Sequence, residues 1–328
     1  MDKRTLALIG ATFVALIYGA NFTIAKDVMP IYMKPFGFIF VRALGGMLLF
    51  WILTFFGPKE KIAKKDFPRI IAAALFGVTI NQLAFFKGLS YTSPISASVI
   101  MVTTPILVLI LSAILIKERI KIKKAIGILI GLGGTFLLIL YGEEIQSNDY
   151  PFLGNFLVFI NASAYGLYLI IVKKLVSKYH PFTFVKWIYT FGFLFIIPFG
   201  YSEFTEIKWH EIPTSIYFNI GFVIIGTTFL AYLINLLSMQ HIKPTTISVF
   251  IYLQPLFATI IAVSLNKDQL TPIKLVSAVL IFTGVFLVTQ KKGVENMIVK
   301  EEFLSKLRRD FGLNLYEVKI WTALLSRG

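Results

Sequence analysis

Cysteine is absent from the 328 residues, and histidine occurs only at His180, His210 and His241. Zinc, iron–sulfur and thiol chemistry therefore lack a ligand set. Charge is scarce as well: 15% of residues are charged, against about 25% in an average soluble chain. The acidic sign is the scarcer, with 17 Asp and Glu against 32 Lys and Arg. In their place the chain has apolar residues, 57% of the total, with a mean hydropathy of +0.78. That is enough for about ten helices of the roughly 20 residues a bilayer requires. Length alone would suggest two soluble domains, but no soluble fold of this size hides so much apolar surface. The composition describes an all-α membrane protein.

Apolar runs between charged or proline-bearing breaks predict ten transmembrane helices, at 5–25, 35–56, 70–86, 95–116, 122–141, 152–172, 182–200, 216–239, 245–265 and 273–289. The first is too long for a secretory h-region and no small-x-small cleavage site follows it. Alternating the loops places 18 basic residues on the side of the amino terminus and 6 on the other. The positive-inside rule then puts both ends in the cytoplasm of a plasma or inner membrane, and the acidic loop 143–149 outside.

The chain repeats itself. An offset of 150 residues pairs Pro94 with Pro244, Ser98 with Ser248, Pro105 with Pro255, Lys117 with Lys267, Lys124 with Lys274 and Gly134 with Gly284, and sets Glu118 opposite Asp268. An offset of 147 pairs Tyr18 with Tyr165, Gly19 with Gly166 and Lys26 with Lys173. Each half is a five-helix unit, 1–146 and 147–293. Five is odd, so the second unit begins on the opposite side and runs inverted. Inverted repeats are a transporter architecture, because halves that exchange conformations switch a midplane cavity between faces by alternating access.

Tyr18-Gly-Ala-Asn-Phe22, Lys26, Arg42, Pro105, Lys117-Glu-Arg119 and Tyr252-Leu-Gln-Pro255 occur in an order that resembles EamA-type transporters of the drug/metabolite transporter superfamily. The resemblance covers about residues 5–292. It implies ten helices around a central cavity and export of small metabolites, often amino acids. One departure is Asn266-Lys-Asp268, where members usually carry a Gly-Glu pair.

Polar residues inside spans mark functional positions, since hydrocarbon offers them no partner. Arg42 can offer a planar fork to a substrate carboxylate, or can lock helices through backbone carbonyls. Asn21, Asn81 and Gln82 suit zwitterions or sugars, or interhelical hydrogen bonds, and Asn161, Asn235 and Gln254 are further polar candidates inside spans. Tyr18, Tyr165, Tyr168, Trp187, Tyr232 and Tyr252 can pave a cavity with flat apolar surface, or sit in lipid-facing belts. Lys186 reads as a snorkelling side chain. Pro105 and Pro255 break their helices and free carbonyls for a hinge or cavity. Gly127, Gly131, Gly134 and Gly284 have small-residue spacing, which serves close packing within the bundle or between two copies in a homodimer.

No Asp or Glu falls within a predicted span, which argues against organic-cation efflux and against an embedded acid or base catalyst. The expected protein is no enzyme, takes no cofactor or metal, and has the lipid bilayer and a small-molecule substrate as its partners, with no nucleic acid. Amino acids are the first substrates expected; nucleotide sugars or nucleobases come next. After Lys292 the composition changes. Residues 294–328 read as a helical cytoplasmic tail, and Phe311–Leu325 resembles the first helix of TrmB-like winged-helix regulators, as a fused or truncated segment would. A regulator acting through that tail is the rival of a different class.

Overall fold

The computed structural model describes residues 2–29, 31–91, 100–118, 121–140, 151–264, 272–289 and 309. These are predominantly helical, with no strand among the described residues. Helix α1 runs Lys3–Val28 and α2 Pro35–Leu53; α3, Phe67–Ala74, continues through a π-helical segment, Leu75–Ile80, into α4, Asn81–Tyr91. Then come α5 (Thr104–Leu115), α6 (Ile122–Leu140), α7 (Pro151–Val176) and α8 (Pro181–Thr205). A second π segment, Val223–Leu230, joins α9 (Thr214–Phe222) to α10 (Ala231–Ser238). The last passages are α11 (Pro244–Val249), a 3₁₀ turn at Phe250–Tyr252, α12 (Leu253–Ser264) and α13 (Pro272–Thr289).

Every predicted span carries helix among its described residues, and six described helices are long and apolar enough to cross a bilayer. Exposed Phe55, Phe56, Phe218 and Ile114 are what a lipid-facing surface requires, whereas a monomer in water rarely tolerates them together. Residues 1–288 form one compact unit and 289–328 a second. The tail helices and the TrmB-like segment expected in the second unit lie outside the described residues, as do loop 143–149 and Asn266–Asp268.

Packing recurs in pairs one repeat apart. Helix α1 packs on α12 as α7 packs on α5; α4 packs on α7 as α10 packs on α1. Helices α2 and α8 pack on each other, and their N-termini are capped reciprocally. The Glu203 carboxylate, near the end of α8, accepts from the Phe36 and Gly37 N–H groups at 2.7 and 3.0 Å. Glu60, after α2, accepts from the His180 N–H at 2.9 Å and the Thr183 hydroxyl at 2.7 Å. Carboxylates belong at helix N-termini, where N–H groups are unclaimed and the macrodipole is positive.

Beside Glu60, Asp66 binds Lys178 and accepts from the Tyr179 hydroxyl at 2.7 Å. Those donors, Lys178 first, hold its carboxyl below the usual carboxylate range. The Thr183 hydroxyl and the His180 N–H do the same for Glu60. A depressed carboxyl contributes stability above its unfolded pKa, about 4, and loses it as the pH falls through the lower folded value. We expect Asp66→Asn to lower the thermal transition at pH 7 and to flatten its acid limb below pH 4. A scan against pH in detergent checks this; an unchanged acid limb would remove Asp66 from the account.

Candidate functional site

The helices converge on a cavity of about 100 Å³. Helix α1 contributes Tyr18 and Asn21, α2 Arg42, and α4 Asn81, Gln82, Phe85 and Phe86. Met101 precedes α5, Asn161 and Tyr165 come from α7, Tyr232 from α10, and Ile251 and Gln254 from the α11–α12 passage. Both halves of the chain therefore supply walls.

Two local departures from α-helix aim these groups. Each π segment holds an extra residue per turn and releases a carbonyl from its usual partner. In the first, the Thr79 hydroxyl donates to Ala74 O, five residues back, at 3.4 Å. In the second, the Thr228 hydroxyl donates to Val223 O, also five back, at 2.9 Å. The segments are then tied together around the cavity. The Tyr232 hydroxyl donates to Gly77 O at 2.6 Å, and the Tyr189 hydroxyl to Thr228 O at 3.3 Å. Arg42 donates from Nε to the Thr228 hydroxyl at 3.1 Å.

The proline positions act more locally than expected. Pro105 stands in the first turn of α5 and is buried, just after an interruption at Val102–Thr103. Pro255 follows the 3₁₀ turn at Phe250–Tyr252. Neither lines the cavity; their flanking residues Met101, Ile251 and Gln254 do.

Of the sequence-derived positions, Tyr18, Asn21, Arg42, Asn81, Gln82, Tyr165, Tyr232 and Gln254 meet at the cavity, and Tyr168, Trp187 and Tyr252 do not. The reason is glycine. The Tyr168 ring fills the hollow over Gly77, and the Tyr252 ring the hollow over Gly131, so closely that a Cβ there would sit 2.2 and 2.5 Å from ring carbons. The Tyr252 hydroxyl also donates to Ile128 O at 3.2 Å. Trp187 lies instead in an aromatic cluster with Trp51 and Phe67, centroids 5.4 and 5.6 Å away. Beside it the Lys186 ammonium stands 4.5 Å over the Trp51 ring. Gly127, Gly131 and Gly134 of α6 meet α13 around Gly284, with Gly133 in open space.

The sequence reading missed Phe85, Phe86, Met101 and Ile251 in the walls, and Thr228 behind Arg42. Apolar residues carry no mark in a chain that is 57% apolar. The π segments had no separate signal either.

Electrostatically the site is one-sided. Arg42 is 5% exposed, and no carboxylate lies within ion-pair distance of it among the described residues. Its guanidinium stands 4.9 Å from the Phe86 ring centroid. Nε apart, its N–H donors make no hydrogen bond to described residues. Around it, Asn21 Oδ1, Asn161 Oδ1 and both polar atoms of the Gln82 amide are buried without a hydrogen-bond partner among the described residues. Asn161 Nδ2 donates to Asn81 O at 2.7 Å, which fixes that amide with its oxygen turned away. No metal-holding group of His, Asp and Glu occurs among the described residues.

A helical bundle with lipid-facing flanks and a polar chamber walled by residues of both its halves defines an integral membrane protein that handles a small molecule. The EamA-like transporter family pattern matches residues 5–140 and again 152–290, and the chain belongs to that family. It is a transporter of small molecules, not an enzyme. An "uncharacterized transporter" of Archaeoglobus fulgidus is 27% identical over 88% of this chain and 97% of its own length. Bacillus subtilis YetK, also named an uncharacterized transporter, is 23% identical over 89% of each. A WAT1-related protein of Arabidopsis thaliana is 23% identical over 91% and 88%. One crystal structure superposes with a TM-score of 0.67 over 87% of this chain and 98% of its own, at 16% identity, and shares the fold.

Proposed function

We propose that the chain exports a small carboxylate-bearing metabolite, an amino acid first, by alternating access between inverted five-helix halves, 1–146 and 147–293. The observation that carries the reading is Arg42. A buried, unpaired guanidinium is disfavoured by several kcal/mol. Its cation–π contact with Phe86 returns about 0.5–2 kcal/mol, so an anion is still required to balance it. A bound carboxylate supplies that charge in the two-pronged geometry the fork matches. The orphaned oxygens of Asn21 and Asn161 then call for N–H donors on the same molecule, which favours an amino acid over a simple carboxylate. The cavity of about 100 Å³ favours small metabolites over nucleotide sugars, since drug-sized ligands occupy roughly 300–1,000 Å³.

The two family matches and the paired packing support the duplicated plan, and the basic loops support cytoplasmic termini. A thermal-shift screen of purified protein tests the substrate class, because ligands of the native state raise the transition. Amino acids should raise it, and their decarboxylated amines should not. A response to amines alone would reject the carboxylate reading.

A further inference from the structure

Away from the cavity, two largely buried carboxylates among the described residues pair with basic groups of both halves: Asp66, with Arg69 and Lys178, and Glu118. Glu118, 4% exposed at its side chain, follows α5 and binds Lys124 at 3.1 Å and Lys243 at 3.4 Å. Its Oε1 also accepts from the Thr245 hydroxyl at 2.9 Å, and Lys124 donates to the same hydroxyl at 2.9 Å. Glu118 and Lys124 belong to the first half, Lys243 and Thr245 to the second. The cluster therefore staples the α5–α6 connection to the start of α11.

The backbone turns sharply just before Glu118, in the left-handed cap that ends many helices. Lys117 has φ +52°, the left-handed region, which for a residue with a side chain costs about 1–2 kcal/mol. That bend lets the Glu118 N–H donate to Ser112 O at 3.1 Å and folds the carboxylate back beneath the end of α5. Glu118 Oε2 remains buried with no partner among the described residues. Strain and an unclaimed buried oxygen mark a position whose geometry the surroundings impose.

Between the cavity and this staple four converging passages are closely packed. From Tyr18 toward the staple, α1 buries Ala15, Ala11 and Ala7. From Tyr165, α7 buries Tyr168, Leu169 and Val172, and from Tyr232, α10 and its end bury Leu236 and Met239. The α11–α12 passage buries Tyr252, Val249, Ser248 and Thr245. Opening the cavity toward this face requires α11 to leave α5, and the Glu118 hydrogen bonds cross that seam.

We propose that Glu118 is the positioning residue that holds the transport cavity closed on the face of the 117–124 connection. The proposal rests on the alternating-access reading but not on any choice of substrate. In the closed state Glu118 joins the halves; in the open state it and Lys243 separate and hydrate. The carboxylate touches no cargo. It sets the population of one access state against the other, which is how a group remote from the ligand alters transport.

The natural lack of cysteine gives a clean background for the test. Met101→Cys places one thiol in the cavity wall, and labelling by a membrane-impermeant maleimide is timed from each face of sealed vesicles, without substrate. From the Glu118 face the parent should label slowly, and the Glu118→Gln form at least about tenfold faster, the consequence of weakening charge-assisted hydrogen bonds. Thr245→Ala, a milder change, should fall between them, and Glu118→Asp should stay near the parent. Unchanged rates in both Glu118→Gln and Thr245→Ala would overturn the proposal. So would an equal acceleration at a Phe38→Cys control, buried in the bundle, which reports general loosening. A failed substrate screen leaves these rates standing, so the two readings fail separately.

Discussion

Replacing Arg42 by methionine should make the empty protein more resistant to heat while abolishing its response to ligand. The two effects have opposite signs because one charge causes both. Removing an unpaired buried ion and filling its volume with an apolar chain is neutral or stabilising, by up to about 4 kcal/mol. A carboxylate ligand, by contrast, loses its counter-ion and both prongs of the fork, so it should bind at least about 100-fold more weakly, the equivalent of roughly 3 kcal/mol. Arg42→Lys retains the charge without the planar fork and should lose about tenfold. Paired thermal scans with and without ligand read both quantities. A strongly destabilised Arg42→Met that still binds ligand would make Arg42 a structural lock tied to Thr228 and Phe86.

The second large effect is expected at Gly284, where α13 meets α6. A Cβ there would lie 2.6 Å from both Gly127 O and Gly131 N, and 2.7 Å from Gly131 Cα. All three are backbone atoms, so no rotamer change relieves the contact; the helices must move apart. Gly284→Ala should destabilise by about 1–3 kcal/mol, the range for overpacking a close-fitted core, and Gly284→Val by more. Gly133 supplies the control within the same glycine-rich run. A Cβ there meets nothing within 4 Å, so Gly133→Ala should stay within about 0.5 kcal/mol of the parent. Equal behaviour of the two alanine variants in thermal unfolding would mean that the α6–α13 contact is looser than the structure shows.

Gly284 also illustrates what was legible in the sequence. Its match to Gly134 at the 150-residue offset announced paired helices, because close approach needs small residues at fixed spacing. Polar residues were equally legible. Asn21, Arg42, Gln82 and Tyr232 announced themselves because hydrocarbon tolerates few unpartnered polar groups. Their convergence from different helices then follows from burying them together. Ring placement was not legible. Tyr165 and Tyr168 stand three residues apart on α7, yet the first lines the cavity and the second plugs the hollow at Gly77. That distinction belongs to the helix opposite. The π segments were hidden for a related reason: one extra residue in a helical turn leaves an apolar run unchanged in composition and shifts its faces by about 100°. Lys117 was concealed too, since its left-handed backbone contradicts the usual preference for glycine.

The reciprocal caps on α2 and α8 have a mechanical consequence. Each helix has its first turn held by a carboxylate from the C-terminal end of the other, Glu203 in the last turn of α8 and Glu60 in the chain after α2. A pair of helices pinned to each other at both ends resists sliding apart, so in the proposed cycle large displacements are assigned to the helices around it. In the proposed cycle the α2–α8 pair is the fulcrum, and Arg42 is mounted on it. The charge proposed to grip the cargo would then stay still while the helices around it move.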